Sequence, residues 1–141
     1  MGSVEIAVPP VPEYLQMVRA IVGAAAALDD RLQAGRVADV RLVVSEAVTN
    51  ALRAQAAVQA ADPILVRCDL RSDRIVVEVA DHGPGFDPSA VPDLPKVETP
   101  ERLRHESGLG VSLMRQLADS AVLDSGPDGT VAKLTFVVRD A

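Results

Sequence analysis

The chain has 141 residues, a formal net charge of −6, no Trp, one Tyr, two Phe and one Cys. This length suits one domain with a single core, and with so few aromatic residues that core must consist of Val, Leu, Ile and Ala. The acidic balance argues against direct nucleic-acid binding, which requires clustered Lys and Arg.

Nothing in the chain predicts a membrane protein or a secreted one. No apolar run approaches the ~18 residues of a membrane span, and we expect no signal peptide because the N-terminus lacks a basic segment followed by an apolar one. The lone Cys68 excludes an internal disulfide framework and fits a cytoplasmic protein. His82 and His105 lack the spacing of zinc ligands, so we expect no histidine-held metal.

The first part of the chain predicts one strand and two helices. Val4–Val8 forms a short strand, and Pro12 suits the first turn of a helix whose apolar residues recur at helical spacing as far as Ala25. A second, alanine-rich helix runs from about Val37 to about Ala60 and stops before a turn at Asp62-Pro63.

The remainder predicts two hairpins separated by a long loop and a third helix. The alternating strands around Ile64–Leu70 and Arg74–Val79 are joined by a short hairpin turn. A proline-rich segment then extends to a helix that starts near Gly108, and strands at Ala121–Asp124 and Thr130–Val138 follow. This order favours an α+β fold, a two-layer sandwich with three helices on one face of a mixed, mostly antiparallel sheet, with residues 1–141 as one domain.

Glu46 and Asn50 lie four residues apart on the second helix and project from one face. The apolar stripe that should face the sheet consists of Val37, Val40, Val44, Ala47, Val48 and Ala51. A solvated polar face would explain the opposite stripe, but Leu42 and Val43 flank it. A glutamate can accept a proton from a hydroxyl, and one side-chain carbonyl plus phosphates can suffice to hold magnesium.

Two glycine-containing stretches follow the two helices. Asp81 ends an apolar strand and begins Asp81-His82-Gly83-Pro84-Gly85-Phe86, where a carboxylate suits the exocyclic amine of adenine and glycines allow close approach of the backbone. An ordinary Asp-Gly turn is the alternative. Ser107-Gly108-Leu109-Gly110 opens the third helix, where free N–H groups suit phosphate, whereas a Ser N-cap alone leaves the two glycines unexplained. The ending of a Walker loop is missing.

Together with Gly129-Thr130, these stretches resemble in order and distance the ATP site of the GHKL, or Bergerat-fold, ATPases. The details Glu46-Ala47-Val48-Thr49-Asn50 and Asp81-x-Gly83-x-Gly85-Phe86-Asp87 resemble one branch, the RsbW-type anti-sigma-factor serine kinases of bacteria. The resemblance covers nearly the whole chain, from about Val4 to Val138.

The resemblance implies a role for each motif. Glu46 is the catalytic base, Asn50 is the magnesium ligand, and Asp81 reads adenine with the help of Thr130. The expected ATP-binding residues are Asn50, Asp81, Gly83, Gly85, Arg104, Ser107, Gly108, Leu109, Gly110 and Thr130. The segment from about residue 87 to 107 is the expected ATP lid.

Two positions depart from the pattern of this branch. An arginine commonly stands just before the Ser-Gly pair, where this chain has Glu106. Arg104 or Arg102 would have to reach the γ-phosphate instead, and Glu106 would oppose them. Family members also often carry a histidine at the position of Ala54. The first departure concerns the rate of phosphoryl transfer more than nucleotide binding.

The resemblance implies an ATP- and Mg²⁺-dependent protein serine/threonine kinase that phosphorylates an anti-sigma-factor antagonist and sequesters a sigma factor. Homodimerisation through the first strand and first helix is typical of the branch. One alternative is a nucleotide-dependent protein-binding switch without kinase activity, which Glu106 favours. Others are a detached sensor-kinase ATPase domain, which needs a partner histidine helix, and a ligand-free α/β domain, which requires three coincident motifs.

Overall fold

Three helices pack against one face of a five-stranded sheet in the computed structural model, which describes residues 2–87, 89 and 106–139, with the main chain alone at 106–109. The elements are β1 (Gly2–Val8), α1 (Leu15–Ala26, after a 3₁₀ turn at Pro12–Tyr14), α2 (Ala34–Ala57), β2 (Ile64–Leu70), β3 (Arg74–Ala80), α3 (Glu106–Leu117), β4 (Ser120–Gly126) and β5 (Gly129–Val137). Within the described part of the chain, no helix is both long and apolar enough to cross a membrane.

The strand order is β1-β2-β3-β5-β4, and every neighbouring pair among these five strands is antiparallel. The α+β sandwich is therefore confirmed, but the expectation of a mixed sheet was wrong. Two helices separate β1 from β2, so the chain re-enters the sheet from the opposite end. One helix separates β3 from β4, so these two strands run parallel to each other. They do not pair, because β5 lies between them and is antiparallel to both.

The core lies between the sheet and the helices and consists of aliphatic residues, as the composition predicts. Alternate residues of the strands face the helices: Ile64, Val66 and Cys68 of β2, Ile75, Val77 and Val79 of β3, and Ala132, Leu134 and Phe136 of β5 are all buried. The predicted apolar stripe of α2 faces this layer, with Val37 partly buried and the other five members buried. The polar stripe of α2 is thereby directed away from the sheet.

The end of α2 differs from the predicted one by three residues, for a local reason. The helix ends at Ala57 because Gln59 adopts a left-handed conformation with φ of 54°. The Ala60 N–H then donates to the Gln55 carbonyl at 2.9 Å, and the Gln59 N–H donates to Ala56 at 3.3 Å. These two bonds form a Schellman motif, which satisfies the last carbonyls of the helix.

Arg36 and Asp119 join α2 to the strands at one end of the molecule. The Arg36 guanidinium, which lies 5.1 Å from the centroid of the Phe136 ring, donates to the Leu117 carbonyl and to Asp119 Oδ2 at 2.7 Å. Asp119 also accepts the Val137 N–H at 2.7 Å. Desolvation raises the pKa of Asp119, but these hydrogen bonds and the Arg36 charge outweigh it and hold the pKa below its ordinary value.

Candidate functional site

A cavity of about 500 Å³ lies between the second half of α2, the start of α3 and the adjoining ends of β3 and β5. Its apolar lining includes Val79, Met114 and Ala132. Its polar groups come from the predicted site residues Asn50, Asp81 and Thr130, from Arg53 and from Asp87. A largely apolar cavity of this size with a few convergent polar groups is typical of small-molecule sites.

Asp81 is fixed at the end of β3 by hydrogen bonds to one of its two carboxylate oxygens. Oδ1 accepts the N–H of Gly83 at 2.9 Å and that of Thr130 at 3.2 Å. The Asp81 N–H donates to the Thr130 carbonyl at 2.9 Å, which continues the pairing of β3 with β5. Within the described residues, Oδ2 has no hydrogen-bond partner, so this oxygen can accept a donor from a molecule in the cavity.

The glycines around Asp81 are required by packing within the protein. Gly85 has φ of 77°, and a Cβ there would overlap the Gly126 carbonyl. A Cβ on Gly83 would lie 2.5 Å from the Ala54 Cβ, so this turn packs directly on α2. Gly85 lines the cavity, whereas Gly83 is buried beneath it and contributes through its N–H to Asp81.

Ser125 joins the loop after β3 to the hairpin between β4 and β5. Its Oγ accepts the Phe86 N–H at 2.8 Å and lies 2.7 Å from Thr130 Oγ1. Thr130, which is 6% exposed, is therefore positioned by its hydroxyl as well as by its N–H. The sequence analysis did not identify Ser125. The signal for it is its place directly before the turn at Gly126–Gly129, which pairs it with Thr130 across the hairpin.

The start of α3 packs against the polar stripe of α2. A Cβ on Gly110 would lie 3.2 Å from Glu46 Oε2 and 3.3 Å from both amide atoms of Asn50. Glu46 and Asn50 are partly buried, and neither side chain has a hydrogen bond or ion pair within residues 2–87, 89 and 106–139. The polar stripe is therefore covered by α3 here and is not a simple solvated face.

Asn50 is the one of these two residues that lines the cavity, and it is the candidate for a metal ligand. Within the described ranges, His, Cys, Asp and Glu form no group of three that could hold a metal ion. A magnesium ion at Asn50 would therefore need oxygens from the nucleotide itself, and this donor set suits magnesium because the ion retains water and phosphate ligands.

Several predicted residues are described in part or not at all. Ser107, Gly108 and Leu109 lie in the first turn of α3, which begins at Glu106, two residues before the predicted start, so Ser107 lies inside the helix and not at its N-cap. Arg104, Arg102 and most of the expected lid lie outside the described residues.

Two cavity neighbours were missed from the sequence. Arg53 lines the cavity, and its place three residues after Asn50 on the same helix face is the signal for it. Gln55 is completely buried, and its side chain accepts the His82 N–H at 3.0 Å. Its signal is its position four residues after Ala51, which puts an amide on the apolar stripe.

Residues 8–136 match the model of the histidine kinase-like ATPase domain family. A serine-protein kinase RsbW of Bacillus velezensis is 31% identical over an alignment of 144 positions, gaps included, that covers 95% of this chain and 85% of the relative. An anti-sigma F factor of Caldanaerobacter subterraneus is 32% identical over 123 residues, which cover 83% of this chain and 80% of the relative.

Two solved structures share the fold. The structure of the RsbU and RsbW domains of Rv1364c from Mycobacterium tuberculosis has a TM-score of 0.70 at 22% identity and matches 100% of this chain and 34% of that chain. The SiaB-SiaC complex from Pseudomonas aeruginosa has a TM-score of 0.65 at 15% identity and matches 96% of this chain and 89% of that chain. By the family match and the similarity to its relatives, this chain belongs to the histidine kinase-like ATPase family, in the branch of the RsbW-type serine-protein kinases and anti-sigma factors.

Proposed function

We propose that residues 1–141 form one ATP-dependent protein serine/threonine kinase domain that phosphorylates an anti-sigma-factor antagonist and, in its other state, sequesters a sigma factor. The observation that carries this proposal is the convergence of three separate motifs on one cavity. Asn50, Asp81 and Thr130 line it, and Gly110 packs against Glu46 and Asn50. The relatives named as serine-protein kinase and anti-sigma factor supply the choice of reaction and partners.

The adenine end of the site is assigned to Asp81 and Thr130. Asp81 Oδ1 is occupied by two backbone N–H groups, so Oδ2 accepts the exocyclic amine of adenine, which guanine lacks at the same ring position. Thr130 adds a hydroxyl held by Ser125. Gly85 and the apolar side chains of the cavity supply the surface against which the flat base packs.

The phosphate end of the site is assigned to Asn50, Arg53 and the first turn of α3. ATP supplies the phosphoryl group, and Mg²⁺ supplies the positive charge that offsets the phosphates. Asn50 would hold the metal through its side-chain carbonyl, and Arg53 contributes a cation to the same cavity. The main-chain N–H groups at the start of α3, with Ser107, Gly108, Leu109 and Gly110, would bind the phosphates at the positive end of the helix dipole.

Glu46 is assigned as the proton acceptor. Its Oε2 lies against the start of α3, next to Asn50, the residue that would hold the metal. Glu46 would take the proton of a serine or threonine hydroxyl while that oxygen bonds to the γ-phosphorus and the bond to the bridging oxygen breaks, releasing ADP. Phosphoryl transfer depends mainly on positioning and charge neutralisation, which are assigned to Asn50, Arg53 and α3, so Glu46 is the only proton-transfer group that this proposal requires.

A homodimer in the cytoplasm is the proposed form of the protein. β1 is an edge strand with five of its seven residues exposed, and an unpaired edge can pair with another chain. On the adjacent helix α1, Met17 is 43% exposed, and Leu28 just beyond its end is 73% exposed. These apolar surfaces suit burial between two copies.

A nucleotide-dependent switch without phosphoryl transfer is the second candidate, and Glu106 favours it. This residue begins α3, where the branch commonly has an arginine that neutralises the γ-phosphate, and replacing that cation by a carboxylate would oppose charge neutralisation. In this case the protein would bind ATP and a partner but would leave the partner unmodified.

Labelling with [γ-³²P]ATP distinguishes the two candidates. The protein and Mg²⁺ are added to a cell extract of the source bacterium, and phosphoserine and phosphothreonine are identified by mass spectrometry. We expect wild type to label a small protein and Glu46→Gln to fail while still binding ATP. The matched control is Glu78→Gln, which changes a partly buried carboxylate of β3 on the other face of the sheet and should label as wild type does. ATP binding without any labelled protein would contradict the kinase proposal and favour the switch.

A further inference from the structure

Gln55 is the most deeply buried polar side chain among the described residues, with 0% of its surface exposed. It occupies the apolar stripe of α2, one turn after the buried Ala51. Burial of an unpaired amide is unfavourable, so a glutamine here must have partners for both ends of its side chain.

Both ends of the Gln55 amide are hydrogen-bonded, to two different parts of the chain. Nε2 donates to the carbonyls of Asp62 at 2.8 Å and Ala60 at 3.3 Å, in the connection between α2 and β2. Oε1 accepts the N–H of His82 at 3.0 Å, in the loop that follows β3. One side chain therefore fastens the Asp81 loop to the end of α2.

The hydrogen bond from Gln55 acts on the residue that joins Asp81 to Gly83 in the proposed base site. His82 follows Asp81 and precedes Gly83, whose N–H donates to Asp81 Oδ1. Gly83 in turn packs on Ala54, the residue before Gln55, so side-chain and backbone contacts act on the same turn. Release of the His82 N–H would allow the peptide groups beside Asp81 to rotate and would loosen the carboxylate.

We propose that Gln55 is a positioning residue for the nucleotide base, which acts through the His82 N–H to hold the Asp81 carboxylate in the orientation that accepts an adenine amine. This inference rests on the proposed nucleotide-binding function. A carboxylate held in one orientation discriminates adenine from guanine, because adenine has an amine donor at the ring position where guanine has a carbonyl acceptor. Gln55 thus contributes to base specificity without lining the cavity.

The test compares Gln55→Met with Val40→Ala in the full chain. Methionine keeps the approximate shape of glutamine and removes its three hydrogen bonds. Val40→Ala is the matched control, because it removes buried carbon from the same stripe about four turns earlier on the helix. Dissociation constants for Mg-ATP and Mg-GTP are measured by calorimetry at a temperature where all variants are folded.

We expect Gln55→Met to weaken ATP binding about tenfold and to lower the ratio of ATP to GTP affinity, whereas Val40→Ala leaves that ratio unchanged. If Gln55 is only a structural clamp, both substitutions will lower the free energy of unfolding and neither will change the ratio of ATP to GTP affinity. That result would overturn the inference. Failure of wild type to bind ATP would overturn the proposed function and this role with it. Binding by wild type with an unchanged ratio in Gln55→Met would overturn the positioning role alone.

Amide hydrogen exchange in wild type tests the same contact without a variant and covers the case in which Gln55→Met does not fold. We expect the His82 N–H to be protected before any nucleotide is added, because Gln55 Oε1 already accepts it. Exchange at the rate of an unstructured peptide in the nucleotide-free protein would overturn the proposal.

Discussion

Replacing Asp81 by Asn exchanges one carboxylate oxygen, Oδ2, for an NH₂ group and keeps the shape of the side chain. The Oδ1 of asparagine still accepts the N–H groups of Gly83 and Thr130, so the loop after β3 keeps both hydrogen bonds. These bonds lose their charge assistance, and we expect the free energy of unfolding to fall by only about 1 kcal/mol.

Nucleotide binding should respond much more strongly to Asp81→Asn. The amide would present NH₂ where Oδ2 now accepts, so it would face the amine of adenine with a second donor. Loss of a hydrogen bond to a charged acceptor costs ~1.5–3 kcal/mol, which corresponds to about a 10- to 100-fold weaker affinity for ATP.

Calorimetric titration with Mg-ATP, together with urea denaturation of the same samples, measures both quantities. The control is Asp124→Asn, which removes one charge at an exposed position of β4 and should bind ATP as wild type does. An affinity of Asp81→Asn within about threefold of wild type, with the fold intact, would refute the assignment of Oδ2 to adenine.

Three further predictions concern the rest of the fold. Burial first, and the Asp69 charge second, raise the pKa of Cys68 to about 11, so a maleimide reagent should modify the native thiol at neutral pH far more slowly than the urea-unfolded one. The pKa of Asp119 is lowered in the folded state, so its contribution to stability is present above the unfolded-state pKa and is lost as pH falls through the folded-state pKa. Arg36→Ala should therefore destabilise the protein at pH 7, with a difference from wild type that shrinks in urea titrations as the pH falls through the folded-state pKa of Asp119. Gln59→Gly should raise the free energy of unfolding by up to about 1 kcal/mol, because glycine adopts the positive φ of this position without strain, and an unchanged or lower midpoint would contradict this.

The resemblance in motif order singled out Asn50, Asp81 and Thr130, and local patterns in the sequence placed these residues on their elements. Asn50 lies on α2, Asp81 directly follows β3, and Thr130 lies at the start of β5. Each pattern places its residue at the end or on one face of an element, and the layered fold then brings the three together around one cavity. For this reason a short set of motifs was informative about which residues line the cavity.

The residues that hold the site in place could not be predicted in the same way. Gln55 bonds to a residue 27 positions away, and Ser125 to Phe86, 39 positions away, so both contacts depend on how separate elements pack. The absence of a parallel pair among the five described strands was missed for a similar reason, since the sequence predicted a mixed, mostly antiparallel sheet. Insertion of β5 between β3 and β4 is decided by the pairing of whole strands and leaves no mark on the individual strand patterns.

The central claim is that the cavity lined by Asn50, Asp81 and Thr130 binds adenine nucleotide with magnesium. Thermal unfolding of wild type with Mg-ATP, ATP with EDTA, and Mg-GTP tests it most directly. At about 100 times its dissociation constant, a ligand adds about 2.7 kcal/mol of stability, which for a domain of this size raises the midpoint by roughly 9 °C. We predict this rise for Mg-ATP and a clearly smaller one for the other two conditions. No rise with millimolar Mg-ATP, or equal rises with Mg-ATP and Mg-GTP, would contradict the claim.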